Sequence, residues 1–518
     1  MKQTVFFIFF LFAIQVNAEV RVHQLFSSNM VLQRAVEIPI FGYADISETV
    51  EISFNNIIKK ATIINGKWKV FFPKMKAGGP YDIKITGSKT FTFKNVMIGD
   101  VWVCGGQSNM EFPMLKTDSY QVNSKITDNK NIRFFNVKNT ISDVPKNDLE
   151  RNQQQWKITN PQSGKWFSAV AYHFGNILEN NLEIPIGLLG SYWGGTNAEK
   201  WISTEAINKN KKLNYVLENY EKSKINYSQR RKKTAKQLED WHKKNLKNQN
   251  TQKPWNLKEP WISAGSGEKN DFNRPSCLYN AMIHPLTEFP VKGVIWYQGE
   301  SNANSKKNAM LYGTLFPEMI NSWRVAWKKE LPFYYVQLAS FKKVQKEPAN
   351  SDWAYLRAAQ TKTLSIKNAG MALAIDVGQK NDIHPTNKKT VGERLALQAL
   401  VKTYGKKMLS DGPQFKSLKI RKNKIIVCFK NVGSGLEAKE VLLDTHQLSS
   451  NELKGFAICG NDNKFVWANA KIVGDSVELS HPQIKHPKAV RYAWSDFPLC
   501  NLYNKEGLPA IPFKTDNI

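Results

Sequence analysis

The stretch Val101-Trp102-Val103-Cys104-Gly105-Gly106-Gln107-Ser108-Asn109-Met110 joins an apolar run to a serine that follows a glycine pair. The apolar run predicts a buried strand, and the glycine pair predicts a tight turn at its end. Such a turn exposes the Ser108 hydroxyl and frees backbone N–H groups to face a developing oxyanion, as the nucleophile of a serine hydrolase requires. On its own, a serine in this position is more often a helix cap. Because position 110 is Met, the Gly-x-Ser-x-Gly elbow of α/β-hydrolases is disfavoured.

The chain has 518 residues, of which 42% are hydrophobic and 12% aromatic, so it is long enough for two or three domains. Residues 1–18 have the pattern of a secretory signal peptide, with Lys2 before an apolar stretch and Ala18 at a small-residue cleavage site. We therefore predict a secreted or periplasmic protein that begins at Glu19. No stretch approaches the roughly 20 apolar residues of a membrane span. No cysteine follows the cleavage site, which argues against a lipid anchor.

The net charge of +29 would suggest nucleic acid binding in a cytosolic protein, but the lysines are spread along the chain and export is predicted. We interpret the charge as a solvated surface, which could attract anionic glycans. Five cysteines are too few for a disulfide framework, and at least one must be unpaired in the monomer. One bridge among Cys428, Cys459 and Cys500 is possible, whereas Cys104 is most simply a buried apolar residue.

Patterns along the chain predict three modules after the signal peptide. Residues 19–95 alternate between apolar and polar side chains, as in a small β-sandwich. Residues 96–405 alternate apolar strands with amphipathic helices, which predicts an α/β domain with a parallel sheet. A charged helical insertion is expected at about 204–250, and residues 406–518 are again β-rich. The candidate strands of the α/β domain are 99–104, 185–191, 292–297, 332–339 and 371–377. Its candidate helices are 167–181, 308–328, 352–366 and 387–404.

Two polar segments at the ends of predicted strands are candidates for oxyanion stabilisation. Gly194-Gly195-Thr196-Asn197 can turn a backbone N–H toward an oxyanion, although glycine pairs after strands are common. Gln298 lies in the run Trp296-Tyr297-Gln298-Gly299-Glu300-Ser301-Asn302 and can donate a side-chain N–H to the same oxygen. A buried structural network is the alternative interpretation of this run.

His384 is the candidate general base, because it lies in Asn381-Asp382-Ile383-His384-Pro385 just before a predicted helix. Asp382 is the first candidate for the carboxylate that orients its imidazole, and Asp376 is the reserve candidate. His284 is a rival base, although no acid lies near it in the sequence. No His-Glu-x-x-His or paired Cys-x-x-Cys spacing occurs, so metal-dependent deacetylation is disfavoured.

Taken together, these blocks resemble the sialate O-acetylesterase family of SGNH-type hydrolases, and the likeness covers nearly the whole mature chain. The matching runs are Gly105-Gly106-Gln107-Ser108-Asn109-Met110, Gly194-Gly195-Thr196, Leu278-Tyr279-Asn280-Ala281-Met282-Ile283, Trp296-Tyr297-Gln298-Gly299-Glu300-Ser301-Asn302, Asp382-Ile383-His384-Pro385, Val490-Arg491-Tyr492-Ala493-Trp494-Ser495-Asp496 and Gly507-Leu508-Pro509-Ala510.

The resemblance implies a flavodoxin-like, three-layer esterase domain flanked by β-rich modules, which releases acetate from O-acetylated sugars without metal or cofactor. It implies Ser108 as nucleophile, His384 as base, and an oxyanion hole made by the Ser108 N–H, the Gly195 backbone and Gln298. Many SGNH enzymes carry the acid three residues before the histidine, but position 381 is Asn. The choice between Asp382 and Asp376 therefore stays open.

We expect a secreted serine esterase that acts on O-acetylated carbohydrate, with O-acetylated sialic acid as the first candidate substrate. An acetylxylan or other polysaccharide acetylesterase is the alternative, since such enzymes share these motifs. A non-catalytic glycan-binding protein is a remote alternative, because a serine, a histidine, a candidate acid and oxyanion groups are all present.

Overall fold

The computed structural model describes residues 19–123, 128–151, 154–225, 227–251 and 271–516. The predicted signal peptide lies outside these residues. Within them, a β-rich N-terminal region is followed by alternating strands and helices and then by a second β-rich region. The fold class is therefore mixed α/β. None of the helices in these ranges has the length and apolar character needed to cross a membrane.

The N-terminal region consists of short strands whose side chains alternate between buried and exposed. The strands are β1 Arg21–Val22, β2 Val31–Gln33, β3 Ile38–Tyr43, β4 Val50–Phe54, β5 Ile57–Ala61, β6 Ile63–Ile64, β7 Lys67–Phe72 and β8 Gly78–Thr86. In β7, Trp68, Val70 and Phe72 are buried and the residues between them are exposed. The ring of Phe72 lies 5.3 Å from that of Phe54 on β4, which belongs to another sheet. Two sheets therefore pack face to face here, as the alternation predicts.

Strand β9, Thr90–Gly106, runs without a break from the N-terminal region into the central α/β region. Its first half pairs with β8 and β2, and its second half lies in the central parallel sheet. The sequence predicts a module boundary near residue 95, but the same strand contributes to both sides of it.

The central sheet agrees with the predicted strands at its middle and differs at its edges. Its further strands are β10 Asn129–Asn136, β11 Lys157–Thr159, β12 Ile186–Tyr192, β13 Gly293–Tyr297, β14 Phe333–Val336 and β15 Ala369–Ala372. They are ordered β11-β10-β12-β9-β13-β14-β15, and all are parallel except β11. The strand predicted at 371–377 is observed as β15, which is shorter and begins two residues earlier. Strand β10 was not predicted.

Helices cover both faces of the central sheet. They are α1 Ser108–Glu111, α2 Asp118–Asn123, α3 Pro161–Gly164, α4 Ala169–Leu182, α5 Thr204–Lys209, α6 Asn214–Lys224, α7 Tyr227–Asn250, α8 Lys306–Trp327, α9 Asp352–Lys362 and α10 Lys388–Lys402. Trp102 and Cys104 of β9 share one core cluster with α4 and α10. Val101 and Val103 share the other with α8 and α9. Helices α5 to α7 occupy the predicted helical insertion, and α7 is largely exposed.

The strand order creates a crevice at one edge of the sheet. After β9 the chain moves two positions away to β10, returns to β12 beside β9, and then crosses to β13 on the other side. The carboxyl ends of β9, β12 and β13 therefore diverge at a topological switch point, which is where open α/β sheets bind ligands.

The C-terminal β-rich region packs against the central α/β region through buried polar contacts. Its strands are β16 Gln414–Arg421, β17 Lys424–Lys430, β18 Leu436–Ala438, β19 Val441–Leu443, β20 His446–Leu448, β21 Phe456–Cys459, β22 Phe465–Trp467, β23 Asn469–Val473, β24 Ser476–Ser480, β25 Ala489–Tyr492, β26 Leu502–Asn504 and β27 Phe513–Lys514. The Arg357 guanidinium on α9 donates to the carbonyls of Ser495 and Asp496 at 2.7 and 3.1 Å. All five cysteines are free, so none of the disulfides considered from the sequence forms.

Candidate active site

Ser108 begins α1 directly after the turn that ends β9. Gly106 has φ +138°, and a Cβ there would lie 2.2 Å from the carbonyl oxygen of Tyr297 on the neighbouring strand. Only glycine fits this position. The Gln107 N–H then donates to the same carbonyl at 3.0 Å, which holds the turn against β13. The turn therefore presents Ser108 at the carboxyl edge of the sheet, as the sequence predicts.

His384 faces Ser108 from the loop that precedes α10. Its Nε2 lies 2.8 Å from Ser108 Oγ, within hydrogen-bond distance. The imidazole is stacked on the ring of Phe112, with 6.3 Å between the ring centroids. Burial and the Lys388 ammonium lower the pKa of His384, and the Asp382 carboxylate partly opposes them. The imidazole is therefore held in the neutral form, which can accept a proton from the serine.

Asp382 lies on the other side of the imidazole. Its Oδ1 accepts a hydrogen bond from the His384 backbone N–H at 2.8 Å and lies 3.4 Å from His384 Nδ1. The carboxylate is 57% exposed, so solvent weakens its interaction with the ring. Ser108, His384 and Asp382 thus lie in the order that a catalytic triad has.

Asp376, the reserve candidate, is committed elsewhere. Both of its oxygens accept hydrogen bonds from the Arg394 guanidinium, at 2.6 and 2.7 Å, and the Tyr503 hydroxyl donates to Oδ2 at 2.8 Å. Burial alone would raise the pKa of Asp376, but Arg394 and Tyr503 lower it overall. The side chain links α10 to the C-terminal region, and both of its oxygens are engaged by groups other than an imidazole.

The rival base, His284, lies in a different part of the molecule. Its Nδ1 is 2.8 Å from the carbonyl oxygen of Lys146. The imidazole lines a separate cavity of about 740 Å³ between α5 and α8. His384 is therefore the histidine that the fold brings to Ser108.

The glycine pair after β12 lies beside Ser108. The Gly194 N–H donates to Glu111 Oε2 at 2.7 Å, a contact that the sequence did not indicate. Gly195 has φ +72°, and a Cβ there would meet no atom within 4 Å, so its backbone borders open space. Among the described residues, no acceptor takes the N–H of Gly195 or of Ser108. These two N–H groups are thus available to an oxyanion.

Gln298 is fully buried and engaged in a network of its own. Its Nε2 donates to the Thr196 carbonyl at 3.2 Å and to Asn302 Oδ1 at 2.8 Å, and the Tyr312 hydroxyl donates to its Oε1 at 3.0 Å. Both amide hydrogens are used, so the predicted side-chain donor is not free to face Ser108. The network interpretation of this polar run describes the observed contacts better.

Three polar side chains that the sequence did not single out lie buried beneath the serine and the histidine. They are Asn109, Glu300 and Lys388. Lys388 carries the clearest signal that could have revealed them, because a lysine in the first turn of a helix opposes the helix dipole.

Aromatic side chains surround the mouth of the site. Phe112 stacks on His384, and the backbone N–H of Trp193 donates to the Gly106 carbonyl at 3.1 Å. The ring of Trp193 lies 4.8 Å from that of Phe272, and both are half-buried. An apolar rim around a polar centre is typical of small-molecule sites. In the part of the chain that the structure describes, no group of three or more His, Cys, Asp or Glu residues could hold a metal ion.

Comparison with known proteins gives a consistent result. The model of a carbohydrate esterase family described as sialic acid-specific acetylesterase matches residues 243–401, a range that includes His384 but not Ser108. The sialate O-acetylesterase of Rattus norvegicus is 29% identical over 93% of this chain and 92% of its own length. The human sialate O-acetylesterase is 28% identical over 94% of this chain and 91% of its own length.

A solved structure is also similar over nearly all of the chain. A carbohydrate acetylesterase from Xanthomonas citri is 32% identical, with a TM-score of 0.79, and the match covers 96% of this chain and 100% of that one. The similarity therefore includes both β-rich regions as well as the catalytic region between them.

Proposed function

Because this chain belongs to the sialate O-acetylesterase family of carbohydrate esterases and is an ester hydrolase, we propose that it removes O-acetyl groups from sugars through an acetyl-enzyme at Ser108. The observation that carries the proposal is the 2.8 Å contact between Ser108 Oγ and His384 Nε2, with Asp382 on the opposite side of the imidazole. A serine, a neutral imidazole and a carboxylate in this order form the reactive unit of serine esterases.

In the first half of the reaction, Ser108 Oγ attacks the acetyl carbonyl carbon while His384 Nε2 takes the hydroxyl proton. The carbonyl oxygen becomes an oxyanion that accepts hydrogen bonds from the Ser108 and Gly195 N–H groups. His384 then donates its proton to the sugar oxygen, which leaves as a hydroxyl. Asp382 stabilises the imidazolium that forms between these two transfers.

In the second half, water attacks the acetyl group on Ser108 with His384 again as the base, and acetate leaves as the serine is regenerated. Gln298 lies behind the oxyanion hole in this mechanism. Its hydrogen bond to the Thr196 carbonyl holds the turn that carries Gly195. It acts by keeping the Gly195 N–H in place.

An anionic sugar such as an O-acetylated sialic acid is the first candidate substrate. The positive charge of the exposed Lys116 reaches His384 strongly enough to lower the pKa of that imidazole, so it would also attract a substrate carboxylate. The net charge of +29 acts in the same direction over longer distances. Phe112, Trp193 and Phe272 offer aromatic faces on which a sugar ring can pack.

Two further proposals rest on the layers of the fold and on the sequence of residues 1–18. We propose that the catalytic region is a three-layer SGNH-type domain, since helices cover both faces of its sheet. We also propose that residues 1–18 direct the protein to the exterior or the periplasm and are then removed.

The test is acetate release from O-acetylated sialic acid and from acetylated xylan, measured with the mature protein and with Ser108→Ala. We expect the mature protein to release acetate, and we expect the rate of release to fall at least a thousandfold in Ser108→Ala, because no acetyl-enzyme can form. Ser119→Ala is the matched control, since Ser119 Oγ also contacts a histidine, His173 Nε2, at 3.3 Å. Wild-type activity in Ser108→Ala would overturn the proposal, and the preferred glycan identifies the substrate class.

A further inference from the structure

Asn109 follows the nucleophile directly, and its side chain points down into the protein. Its Nδ2 donates to Glu300 Oε1 at 2.5 Å and to the carbonyl oxygen of Ile383 at 3.0 Å. Its Oδ1 accepts from the Lys388 ammonium. Both the nitrogen and the oxygen of the Asn109 side-chain amide are therefore hydrogen-bonded, and their partners lie on three different segments.

The position of these partners in the chain is informative. Asn109 is the residue after Ser108, and Ile383 is the residue before His384. One hydrogen bond therefore joins the side chain of the residue next to the nucleophile to the backbone next to the base. The contact between Ser108 Oγ and His384 Nε2 joins the same two segments.

The orientation of the amide is fixed by opposite charges. Glu300 faces its N–H groups, and Lys388 faces its oxygen. Glu300 is 8% exposed, and Asn109 and Lys388 are at most 1% exposed, so water does not compete. Reversing the amide would place its oxygen against a carboxylate and a carbonyl, which the low dielectric makes costly. The pair thus determines which way Asn109 points.

Lys388 also faces two aromatic rings and the loop that carries Asp382 and His384. Its Nζ lies 4.7 Å from the ring centroid of Phe112, which stacks on His384, and 5.6 Å from that of Tyr297. Burial lowers the pKa of Lys388 to about 7, and Glu300 and Asp382 oppose that shift. His384 titrates below its ordinary pKa, and in that pH range Lys388 is mostly protonated. The charge on Lys388 therefore disfavours a second positive charge on the imidazole.

We propose that Asn109, held between the Glu300 carboxylate and the Lys388 ammonium, is a positioning residue that sets the distance between Ser108 and His384, and that Lys388 keeps His384 in its basic form. The proposal rests on the proposed function, because it assigns these residues to the Ser108–His384 reaction. Neither Asn109 nor Lys388 touches the acetyl group in this scheme.

The first test compares Asn109→Ala with Asn501→Ala in the mature protein, with an aryl acetate as substrate. Asn501 is a matched control, since its buried Nδ2 donates to the carbonyls of Lys439, Ser449 and Glu452 far from the site. We expect kcat to fall about a hundredfold in Asn109→Ala, as for a small misplacement of reacting groups, with KM within a few-fold. Asn501→Ala keeps kcat at temperatures where it is folded.

The second test is the pH profile of kcat/KM for Lys388→Met, a substitution that removes the charge and fits between the same rings. The groups that act electrostatically on His384 are Asp382, Lys388 and Lys116. Removing Lys388 raises the pKa of His384, so the acidic limb should move to higher pH. Lys329→Met is the control, because the Lys329 ammonium also donates to an oxygen acceptor, the Val291 carbonyl, and is not among the groups that shift the pKa of His384. Its acidic limb should not move.

The outcomes separate the two proposals. If Ser108→Ala stays active, the proposed function fails and this inference fails with it. If Ser108→Ala is inactive but Asn109→Ala behaves like Asn501→Ala, and the acidic limb of Lys388→Met does not move, only the inference is overturned. A hundredfold loss of kcat in Asn109→Ala, together with the shifted limb in Lys388→Met, supports it.

Discussion

At the scale of single residues, Asp382 and Asp376 have opposite environments and therefore different expected effects. Asp382 is 57% exposed beside His384, so Asp382→Asn should lower kcat without unfolding the protein. We expect a loss of about 10- to 100-fold, smaller than the roughly 10⁴-fold known for a buried triad aspartate, because solvent already screens this carboxylate. The measurement is kcat with an aryl acetate, alongside a thermal melt. Unchanged turnover would remove Asp382 from the mechanism.

Asp376→Asn should instead reduce stability. It breaks a buried pair with Arg394 and leaves the guanidinium uncompensated, which costs about 3 to 5 kcal/mol in the free energy of unfolding. The pKa of Asp376 is lowered in the folded state, so its stabilisation is present above the unfolded pKa of about 4 and is lost as the pH falls further. Urea denaturation at pH 7 and pH 4 measures it. A variant that kept wild-type stability but lost turnover would instead make Asp376 the triad acid.

The pH dependence of the wild-type protein is also a property of one residue. Burial and Lys388 lower the pKa of His384, and catalysis needs the neutral imidazole. Activity should therefore rise with pH through an apparent pKa below about 6.5, the ordinary value for histidine. The profile of kcat/KM between pH 4 and 8 checks this. A midpoint above 6.5 would show that Asp382 outweighs burial and Lys388.

The positions of the proposed reactive residues could be predicted from the sequence better than those of the residues that hold them. Ser108 and Gly195 follow apolar runs, and the ends of parallel strands meet at one edge of a sheet, so their proximity could be expected. The contacts of Asn109 and Lys388 could not be predicted in this way, because their partners come from distant segments. Gln298 was assigned to the oxyanion hole because its spacing reveals the strand end but not which acceptors its amide meets.

At the scale of elements, the turn that ends β9 depends on Gly106. A Cβ there would meet the Tyr297 carbonyl at 2.2 Å, and the residue that carries it would also have to adopt φ +138°. Gly106→Ala should therefore displace Ser108, destabilise the protein by about 2 kcal/mol or more, and lower kcat. Gly405→Ala is the control, since it has φ +68° but open space, and should cost only about 1 kcal/mol. Equal effects of the two variants on stability and kcat would contradict the steric argument.

Element boundaries were predicted well for amphipathic helices and less well for edge strands. Helix α8 lies within two residues of its predicted limits, because its apolar face repeats over many turns. The predicted strand 371–377 fails because Leu373, Ala374 and Ile375 are buried without being paired in the sheet. Strand β10 was missed because its first residues, Asn129-Lys130-Asn131, are polar. Burial and strand pairing are separate properties, and apolar runs report only the first.

At the scale of the whole molecule, the predicted modules are joined by buried charges at both predicted boundaries. Asp100, on β9 just after the first boundary, accepts hydrogen bonds from Gln33 and from both ends of the Arg34 guanidinium, at 2.8 to 3.0 Å. On the other side, Arg357 depends on carbonyls of Ser495 and Asp496 in the C-terminal region. Dividing the chain at 95 removes the charged partner of Asp100, and dividing it at 405 removes two of the four carbonyl hydrogen bonds of Arg357.

A shortened protein that spans residues 96–405 should consequently fail to fold, although the sequence pattern marks it as the catalytic domain. The cut at 95 removes β8 and β2, the partners of the first half of β9, and exposes Val96 and Ile98, which are fully buried. It also removes Arg34, the charged partner of the buried Asp100, and leaves Tyr404 as a neutral donor to that carboxylate. This loss costs several kcal/mol in a protein whose total stability is about 5 to 15 kcal/mol. Soluble yield, a thermal melt and aryl acetate turnover are compared with those of residues 19–518. A cooperative melt with wild-type turnover in the shortened protein would mean that the catalytic region is independent of the β-rich regions.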